Sequence, residues 1–478
     1  MTVTERVESV ADQPLIPTMG LLGGLKFFGQ MAAGKAPGEA FGAMNRRTGA
    51  DMMRIPLGFT DVVFASGPEV ANTIALNKAQ DFSAEPAWNF TLTGQFRKAL
   101  LQKEFAEHRH DRLLIQQSLT PKKLDEYLVG LEPKIRAAVM QCPVGDEVDL
   151  RRLFKRVTMT VALEVFAGVK LSEAEVFRIG KAFDDLVTAN RFVRQARARR
   201  YIRRTVRSWI PVKRAHPGDD LMSHLCQAES VDGDKFTDDE VMHHMIFFLF
   251  AAHDTSTITM TNMAYYIGLN RKWQTLAREE ALALGPELTM ADIKELKMLD
   301  MIMKETLRFR TPVPLLQRSA IRETSLQGYR VRKNTFISTW TWAHHTNPEV
   351  WDTPTRFDPE RFTPERHEDK AHRGQWMPFG GGAHKCIGMY FARMEIFTLF
   401  HTLLREFEWS VEDDYVLPTM ANSLAMSNGF PARVWRRDPS IPERPASEEP
   451  EIEIRWGTAP NVLRKVRALR EHRVPVGH

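Results

Sequence analysis

A continuous apolar run near the middle of the chain, at residues 245–252, predicts a buried helix. Thr237 is followed by three acidic residues at 238–240, which is typical of a helix N-terminus. Negatively charged side chains are stabilising there because they are attracted to the unpaired backbone N–H groups of the first turn. The apolar run ends at His253, Asp254 and Thr255. An acid beside a hydroxyl inside a buried helix is costly unless the two groups are used or paired. The pattern therefore predicts one long central helix with a polar site within it.

The remaining pattern predicts mostly helices. Residues 124–215 and 289–310 have helical periodicity, and the second segment has an apolar face. Residues 53–58 and 61–65 instead predict two strands joined at Gly58, followed by a helix at 68–77. Residues 1–15 are predicted to be a flexible N-terminus. Residues 439–478 read as a linker rich in proline and acidic residues, followed by a basic amphipathic helix candidate.

Composition excludes several classes of protein. The 478 residues carry a net charge of +5, too small to indicate nucleic-acid binding. The three cysteines, Cys142, Cys226 and Cys386, give no disulfide framework and suit a reducing compartment. No apolar run reaches the roughly 18 residues that a membrane span needs. We therefore expect a soluble, cytoplasmic protein without a transmembrane anchor.

One segment, residues 191–207, is unusually basic and contains eight arginines. Phe192, Val193, Tyr201, Ile202 and Val206 give the segment an apolar face. Such a helix suits a nucleic-acid or membrane surface. It also suits a simple solvated face, and that is our interpretation from the sequence.

The strongest chemical signal is the glycine-rich stretch at 379–388, which contains Cys386. Three consecutive glycines, Gly380 to Gly382, allow the backbone to approach a flat ligand closely. A predicted helix follows the cysteine, and a helix N-terminus favours a thiolate over a thiol. His384 is poorly placed to act as a base for a cysteine nucleophile. An axial ligand for haem iron is therefore the better interpretation, and a buried structural cysteine in a glycine turn is the alternative.

The loop resembles the haem-binding loop of the cytochrome P-450 superfamily through Phe379, Gly382, His384, Cys386, Gly388, Ala392 and Glu395. The resemblance implies a mainly α fold, a single large helical haem-thiolate domain with a small β-rich N-terminal region, over residues 16–438. It also implies haem b as the cofactor, with the axial thiolate from Cys386. By the same resemblance, the haem propionates are bound by His108, Arg112, Arg318 and His384. From spacing alone, a solvated charged helix face would be the better interpretation of His108 and Arg112.

The central helix is similar to the family's distal pattern, with Ala252 where glycine is usual. The resemblance makes Thr255 the alcohol that hydrogen-bonds dioxygen and Asp254 the acid of a proton relay. The alternative is a Thr255 hydroxyl bonded back to its own helix, with Asp254 in a structural ion pair. The resemblance further implies a structural network of Glu305, Arg308 and Arg361.

The resemblance also implies a substrate pocket, partly on a loop-rich segment at 83–100. The predicted lining is apolar and consists of Trp88, Phe90, Phe247, Phe250, Ala251, Val313, Leu315, Leu316, Leu424 and Met426. The implied function is a haem-thiolate monooxygenase that hydroxylates or epoxidises a steroid, terpenoid or fatty acid. Its electrons would come from a ferredoxin or flavodoxin and an NAD(P)H-dependent reductase. A peroxide-driven enzyme of the same fold and a non-enzymatic binder of haem or an apolar ligand remain as alternatives.

Overall fold

The structure is a computed structural model. It describes residues 9–20, 22–23, 25–26, 29, 49–57, 60–92, 98–187, 192–229, 233–412, 415, 417, 430–438 and 440, without the side chains of Phe90, Thr91 and Val187. Gly58, Leu424, Met426 and the side chain of Phe90 therefore lie outside the description.

Helices dominate the described chain. They are α1 (Pro68–Leu76), α2 (Glu85–Thr91), α3 (Phe105–Gln116), α4 (Pro121–Met140), α5 (Leu150–Phe166), α6 (Glu173–Val187), α7 (Phe192–Ala215), α8 (Leu221–Gln227), α9 (Asp238–Leu269), α10 (Arg271–Ala283), α11 (Met290–Glu295), α12 (Lys297–Arg310), α13 (Thr341–His345) and α14 (Met389–Glu406). The strands are β1 (Met52–Pro56), β2 (Asp61–Ala65), β3 (Phe82–Ser83), β4 (Gly145–Asp149), β5 (Leu315–Ala320), β6 (Thr324–Leu326), β7 (Tyr329–Val331), β8 (Phe336–Trp340), β9 (Phe407–Ser410) and β10 (Pro431–Arg436).

The chain divides into two compact units. The first contains residues 1–109, 313–354 and 367–386, and the second contains residues 110–312, 355–366 and 387–478. No helix in the described part of the chain is long and apolar enough to cross a membrane.

The first unit is built on a five-stranded sheet in the order β1-β2-β8-β5-β3. β1 and β2 form an antiparallel hairpin, and β2 pairs in parallel with β8. Alternate residues of β2 are buried, and Val63 and Ala65 join Ile74 of α1 in an apolar core. The hairpin and the helix after it confirm the sequence prediction for residues 53–77.

The second unit is helical and is organised around the 32-residue helix α9. The helix begins at the predicted place, where Thr237 and Glu240 form a capping box. Its residues are buried on nearly every side, as the apolar run predicts. A three-stranded sheet, β4-β10-β9, lies in the same unit.

Two predicted segments differ from the structure. The helical prediction for 124–215 misses β4, which forms only by pairing with the distant β10. Residues 83–100 are less loop-like than expected, since 85–91 form α2. Arg318, which the sequence analysis names only as a propionate ligand, lies inside β5, opposite Ile337.

The predicted helix at 289–310 is interrupted at Leu296. There α11 ends and α12 begins, with the backbone N–H groups of Lys297 and Met298 donating to the Glu280 carboxylate at 2.7 and 3.0 Å. The break depends on a cap supplied by another helix, α10, so the local pattern could not predict it.

Candidate active site

The loop that carries Cys386 is closed by its own backbone. The amide of Gly380 donates to the Met377 carbonyl at 3.0 Å, and the amide of Cys386 donates to the Phe379 carbonyl at 2.9 Å. Cys386 is exposed, whereas Cys142 and Cys226 are buried, and burial raises the pKa of each buried thiol to about 11. Cys386 is therefore the cysteine whose sulfur is accessible to a ligand.

Gly382 fixes how this loop packs on α1. Its φ is +61°, a left-handed conformation that disfavours side chains. A Cβ at this position would lie 1.9 Å from the carbonyl oxygen of Ala75, so a larger residue would force the loop away from the helix. The glycine is required both for the backbone turn and for the close approach.

We expect Gly382→Ala to lower the free energy of unfolding by about 2 kcal/mol or more, because left-handed strain and the clash with Ala75 add together. Thermal and urea unfolding of the full chain would measure it. Gly388→Ala is the matched control, since a Cβ there meets nothing within 4 Å. Equal stability of the two variants would contradict this account of Gly382.

The first unit gathers three of the four predicted propionate ligands near the cysteine loop. The rings of His108 and His384 are stacked, with centroids 4.0 Å apart. Arg318 lies on β5 and is 8% exposed. Arg112, one helical turn after His108 on α3, is assigned to the second unit. The cationic side chains are thus positioned by a strand, a helix and the cysteine loop.

Glu104 was missed by the sequence analysis. Its carboxylate lies 3.3 Å from Nε2 of His384 and accepts a hydrogen bond from the amide of Ala84. Burial raises the pKa of Glu104, but the interactions with His384, Ala84 and Arg318 outweigh burial, so the net pKa is lowered. Its position just before α3 was the only sequence signal, and acidic residues near helix starts are common.

The first unit therefore has the chemistry that a haem requires. It presents an accessible thiol for the iron, and His384 and Arg318 next to a carboxylate that already interacts with both. Arginine and histidine suit carboxylates such as the haem propionates. The glycine loop also leaves no side chain at Gly382 between the loop and α1. These residues fit the group.

Within the second unit, the otherwise buried helix α9 has one open stripe. Phe247, Ala251 and Thr255 recur every four residues and are each partly exposed, as is Ala252. Phe250 and Asp254 lie off this stripe and are buried, at 6% and 5% exposure. The predicted distal residues therefore divide between an accessible face and a buried one.

Thr255 uses its only hydroxyl proton within its own helix, since Oγ1 donates to the carbonyl of Ala251 at 2.7 Å. Asp254 Oδ1 lies 3.2 Å from Nε2 of its neighbour His253. His253 is fully buried, its Nδ1 donates to the Leu249 carbonyl at 3.3 Å, and burial lowers its pKa. The structure thus has the helix back-bond and the ion-pair geometry that the sequence analysis named as alternatives to catalytic roles.

Glu395, on α14, is the other buried carboxyl beside this part of α9. Burial raises the pKa of Glu395 to about 8, although a hydrogen bond with Ser256 partly opposes the shift. The folded protein therefore favours the protonated form. The contribution of Glu395 to the free energy of unfolding is complete below the usual pKa near 4.5 and is lost as the pH rises towards about 8.

We expect Glu395→Gln to remove this pH dependence, because the amide cannot ionise. Between pH 5 and pH 7 the free energy of unfolding of the wild type should fall by about 2–3 kcal/mol relative to the variant. Urea unfolding at both pH values would measure the difference, with Glu365→Gln, at an exposed position, as the control. Parallel pH profiles for wild type and Glu395→Gln would contradict the buried, protonated carboxyl.

The predicted network of Glu305, Arg308 and Arg361 forms within the second unit. Arg308 Nε lies 2.7 Å and Arg361 Nε 3.3 Å from the Glu305 carboxylate, which also accepts the amide of Asp358 at 2.9 Å. All three charged side chains are fully buried. The network ties α12 to the turn at 358–361.

We expect Glu305→Ala to destabilise the protein by about 3–5 kcal/mol, because two buried guanidinium groups lose their counter-charge. Asp300→Ala removes the same charge from two partly exposed ion pairs, with Lys304 and Arg393, and should cost less than about 1 kcal/mol. Chemical unfolding of both variants tests the difference, and a cost below about 1 kcal/mol for Glu305→Ala would rule out a strong network.

Four other residues predicted to line the pocket lie in the first unit. Trp88 is buried on α2, while Val313, Leu315 and Leu316 are partly exposed in and before β5. Phe379 and Gly382 belong to the cysteine loop, and Gly388 is the N-cap of α14. The roles assigned to these residues stay predictions.

The sequence pattern of the Cytochrome P450 family matches residues 188–430. Cytochrome P450 136 of Mycobacterium tuberculosis is 35% identical over 363 residues, which cover 72% of this chain and 73% of that protein. A sterol 14alpha-demethylase of Mycolicibacterium vanbaalenii is 24% identical over 372 residues, covering 73% of this chain and 82% of the relative.

The fold also matches a solved structure, that of cyanobacterial CYP120A1 with retinoic acid bound. The TM-score is 0.76 at 23% sequence identity, and the match covers 89% of this chain and 100% of the other. This chain belongs to the cytochrome P450 family. It is accordingly a mainly α oxidoreductase, a monooxygenase with an iron haem and a cysteine axial ligand, which uses dioxygen and redox partners.

Proposed function

We propose that the protein inserts one atom of dioxygen into an apolar substrate, a steroid, terpenoid or fatty acid, at a haem held by Cys386. The observation that carries the proposal is the accessible thiol of Cys386 in the same unit as the stacked His108 and His384. A catalytic thiol needs a positioned base. This thiol instead lies in a glycine loop with carboxylate-binding side chains in its unit, an arrangement suited to haem.

In this proposal Cys386 binds the iron, and His108, Arg112, Arg318 and His384 bind the propionates. When bound, the haem supplies the activation of dioxygen, and the thiolate supplies electron density to it. The loop hydrogen bond between Cys386 and Phe379 fixes the backbone of the ligand. Glu104 orients His384 through their 3.3 Å contact.

Asp254 and Thr255 take different roles in proton transfer. The Thr255 hydroxyl donates its hydrogen bond to the Ala251 carbonyl. Its oxygen is therefore left to accept a hydrogen bond from a ligand on the open stripe, and this bond holds the ligand in place. Asp254 is assigned the role of the group that transfers the proton, and its carboxylate is buried beside Nε2 of His253. The partly exposed Ala251 and Ala252 leave space for small molecules on this side of α9.

The substrate class follows from the apolar character of the predicted pocket. Trp88, Phe247, Phe250, Leu315 and Leu316 offer no charged group to a ligand. The sterol demethylase relative and the structure with retinoic acid both concern isoprenoid-derived molecules, which supports a steroid or terpenoid over a fatty acid.

Partners and compartment are proposed on similar grounds. Ferredoxin or flavodoxin with an NAD(P)H-dependent reductase would deliver the electrons. Free thiols at all three cysteines suit the cytoplasm. The catalytic domain is proposed to span residues 16–438, with 1–15 as a flexible N-terminus and 439–478 as a separate linker and basic tail.

The axial ligand is tested by the visible spectrum of the reduced, carbon-monoxide-bound protein. We expect a strongly red-shifted Soret band in the wild type and its loss in Cys386→Ser, because only a thiolate ligand gives the shift. Cys226→Ser is the matched control and should keep the wild-type spectrum. A histidine-type spectrum in the wild type, or an unchanged one in Cys386→Ser, would refute the assignment.

Proton delivery is tested with Asp254→Asn. With reduced partners we expect product formation to fall by about 10²-fold, as for loss of a general acid, while the spectral shift on substrate binding stays unchanged. A peroxide-driven reaction should be little affected, because peroxide already brings the protons. Equal losses by both routes would show a structural role instead, and a wild type active only with peroxide would favour the peroxide-driven alternative.

A further inference from the structure

The helix α7 concentrates positive charge beyond anything else in the chain. Residues 192–215 contain nine basic residues and no acidic one. The whole chain has a net charge of only +5, so the rest of it is net negative. A charge distribution this uneven creates a local positive potential on the surface that carries it.

The positive charge lies on the face of α7 opposite the core. Ala198, Ile202, Val206 and Ile210 recur every four residues and are buried. The opposite face of the helix carries Arg197, Arg200 and Arg204, all exposed, with Arg194 beside them. From residue 193 to residue 204 this face extends about 16 Å along the helix axis.

Several basic side chains of α7 are neutralised locally, but this face is not. Arg207 pairs with Asp239 at 2.7 Å, Arg214 with Asp238 at 2.8 Å, and Lys213 with Asp220 at 2.7 Å. Within the described ranges, no acidic side chain lies within ion-pair distance of the exposed arginines Arg194, Arg197, Arg200 and Arg204. Four guanidinium groups on this face thus have no acidic partner in the described part of the chain.

Exposed apolar side chains stand at the end of the same helix. Phe192 is 84% exposed and Val193 is 65% exposed, in the first turn of α7. Phe177, on the neighbouring helix α6, is 73% exposed. Aromatic side chains next to arginines fit the boundary between lipid headgroups and acyl chains, where apolar groups insert and cations bind phosphate.

We propose that this arginine face (Val193, Arg194, Arg197, Arg200 and Arg204), with Phe192 at its N-terminal edge, docks the protein on an anionic lipid surface. The docking itself does not depend on the proposed haem chemistry, whereas its benefit to the enzyme rests on the proposed apolar substrate. The arginines bind headgroup phosphates, and Phe192 and Val193 enter the acyl boundary. Apolar substrates dissolve in the same lipid, so docking holds the enzyme where such molecules concentrate. The sequence pattern places Phe192 and Val193 on one apolar face with Ile202 and Val206. The structure buries Ile202 and Val206 but leaves Phe192 and Val193 exposed, which the solvated-face interpretation does not explain.

The experiment measures co-sedimentation of the full-length, haem-loaded protein with vesicles of phosphatidylcholine alone or with increasing phosphatidylglycerol. We expect binding to increase with the anionic fraction and to weaken at high salt, since exposed charges are screened. Replacing Arg197, Arg200 and Arg204 together by Gln should weaken binding about a hundredfold at low salt, at about fivefold per arginine.

The matched control removes three positive charges at other surface positions, through Lys235→Gln, Lys297→Gln and Arg433→Gln. These side chains are 59%, 72% and 69% exposed, so the substitutions are compatible with folding. The control should bind vesicles nearly as the wild type does. Phe192→Ser should weaken binding about equally at low and high salt, because insertion of an apolar group is not screened.

Two results would overturn the proposal. One is a wild type that does not prefer anionic vesicles at low salt, or a triple arginine variant that binds as well as the charge-matched control. The other is displacement from vesicles by duplex DNA at equal phosphate concentration, which would assign the face to nucleic acid. Circular dichroism and the reduced carbon-monoxide spectrum verify that each variant is folded and loaded, so failure of the haem assignment is seen separately.

Discussion

The site depends first on a backbone constraint, the contact between Gly382 and α1. A side chain at Gly382 would collide with the carbonyl of Ala75, so the cysteine loop lies against the helix only because the residue has no Cβ. The hydrogen bond from the Cys386 amide to Phe379 then fixes the turn. A thiol that is exposed but attached to a rigid backbone can bind a metal without a large ordering cost, which a flexible loop could not offer.

Buried carboxylates in the two units are stabilised in three different ways. Glu305 is paired with two guanidinium groups and remains in a closed network. Glu104 is only partly buried and interacts with His384 and Arg318, the groups assigned to haem carboxylates. Glu395 interacts with Ser256 and with no cation in the described part of the chain, and burial favours its protonated form, with a pKa of about 8. The same residue type thus serves as a structural tie, a positioning group and a neutral hydrogen-bond partner, depending on its surroundings.

Much of the fold and part of the site could be predicted from the sequence, where local pattern is sufficient. The cap at Thr237, the hairpin at 52–65 and the cysteine loop follow from nearby residues. The break at Leu296 could not be predicted, because Glu280 on another helix supplies the cap. Glu104 was missed for the same reason, since its partners His384 and Arg318 are distant in sequence. The Thr255 back-bond was foreseen only as an alternative, because spacing does not fix a hydroxyl rotamer.

The back-bond changes how the polar centre of α9 should be understood. A threonine that both donated to its helix and donated to a ligand would need two hydroxyl protons, and it has one. With that proton on the Ala251 carbonyl, Thr255 is an acceptor, and a proton reaching the open stripe must come from another group. His253 and Asp254 are the adjacent buried ionisable groups, and their nearest nitrogen and oxygen are 3.2 Å apart. In the proposed function, positioning is therefore assigned to Thr255 and proton supply to its neighbour Asp254, and only the second role calls for a buried acid.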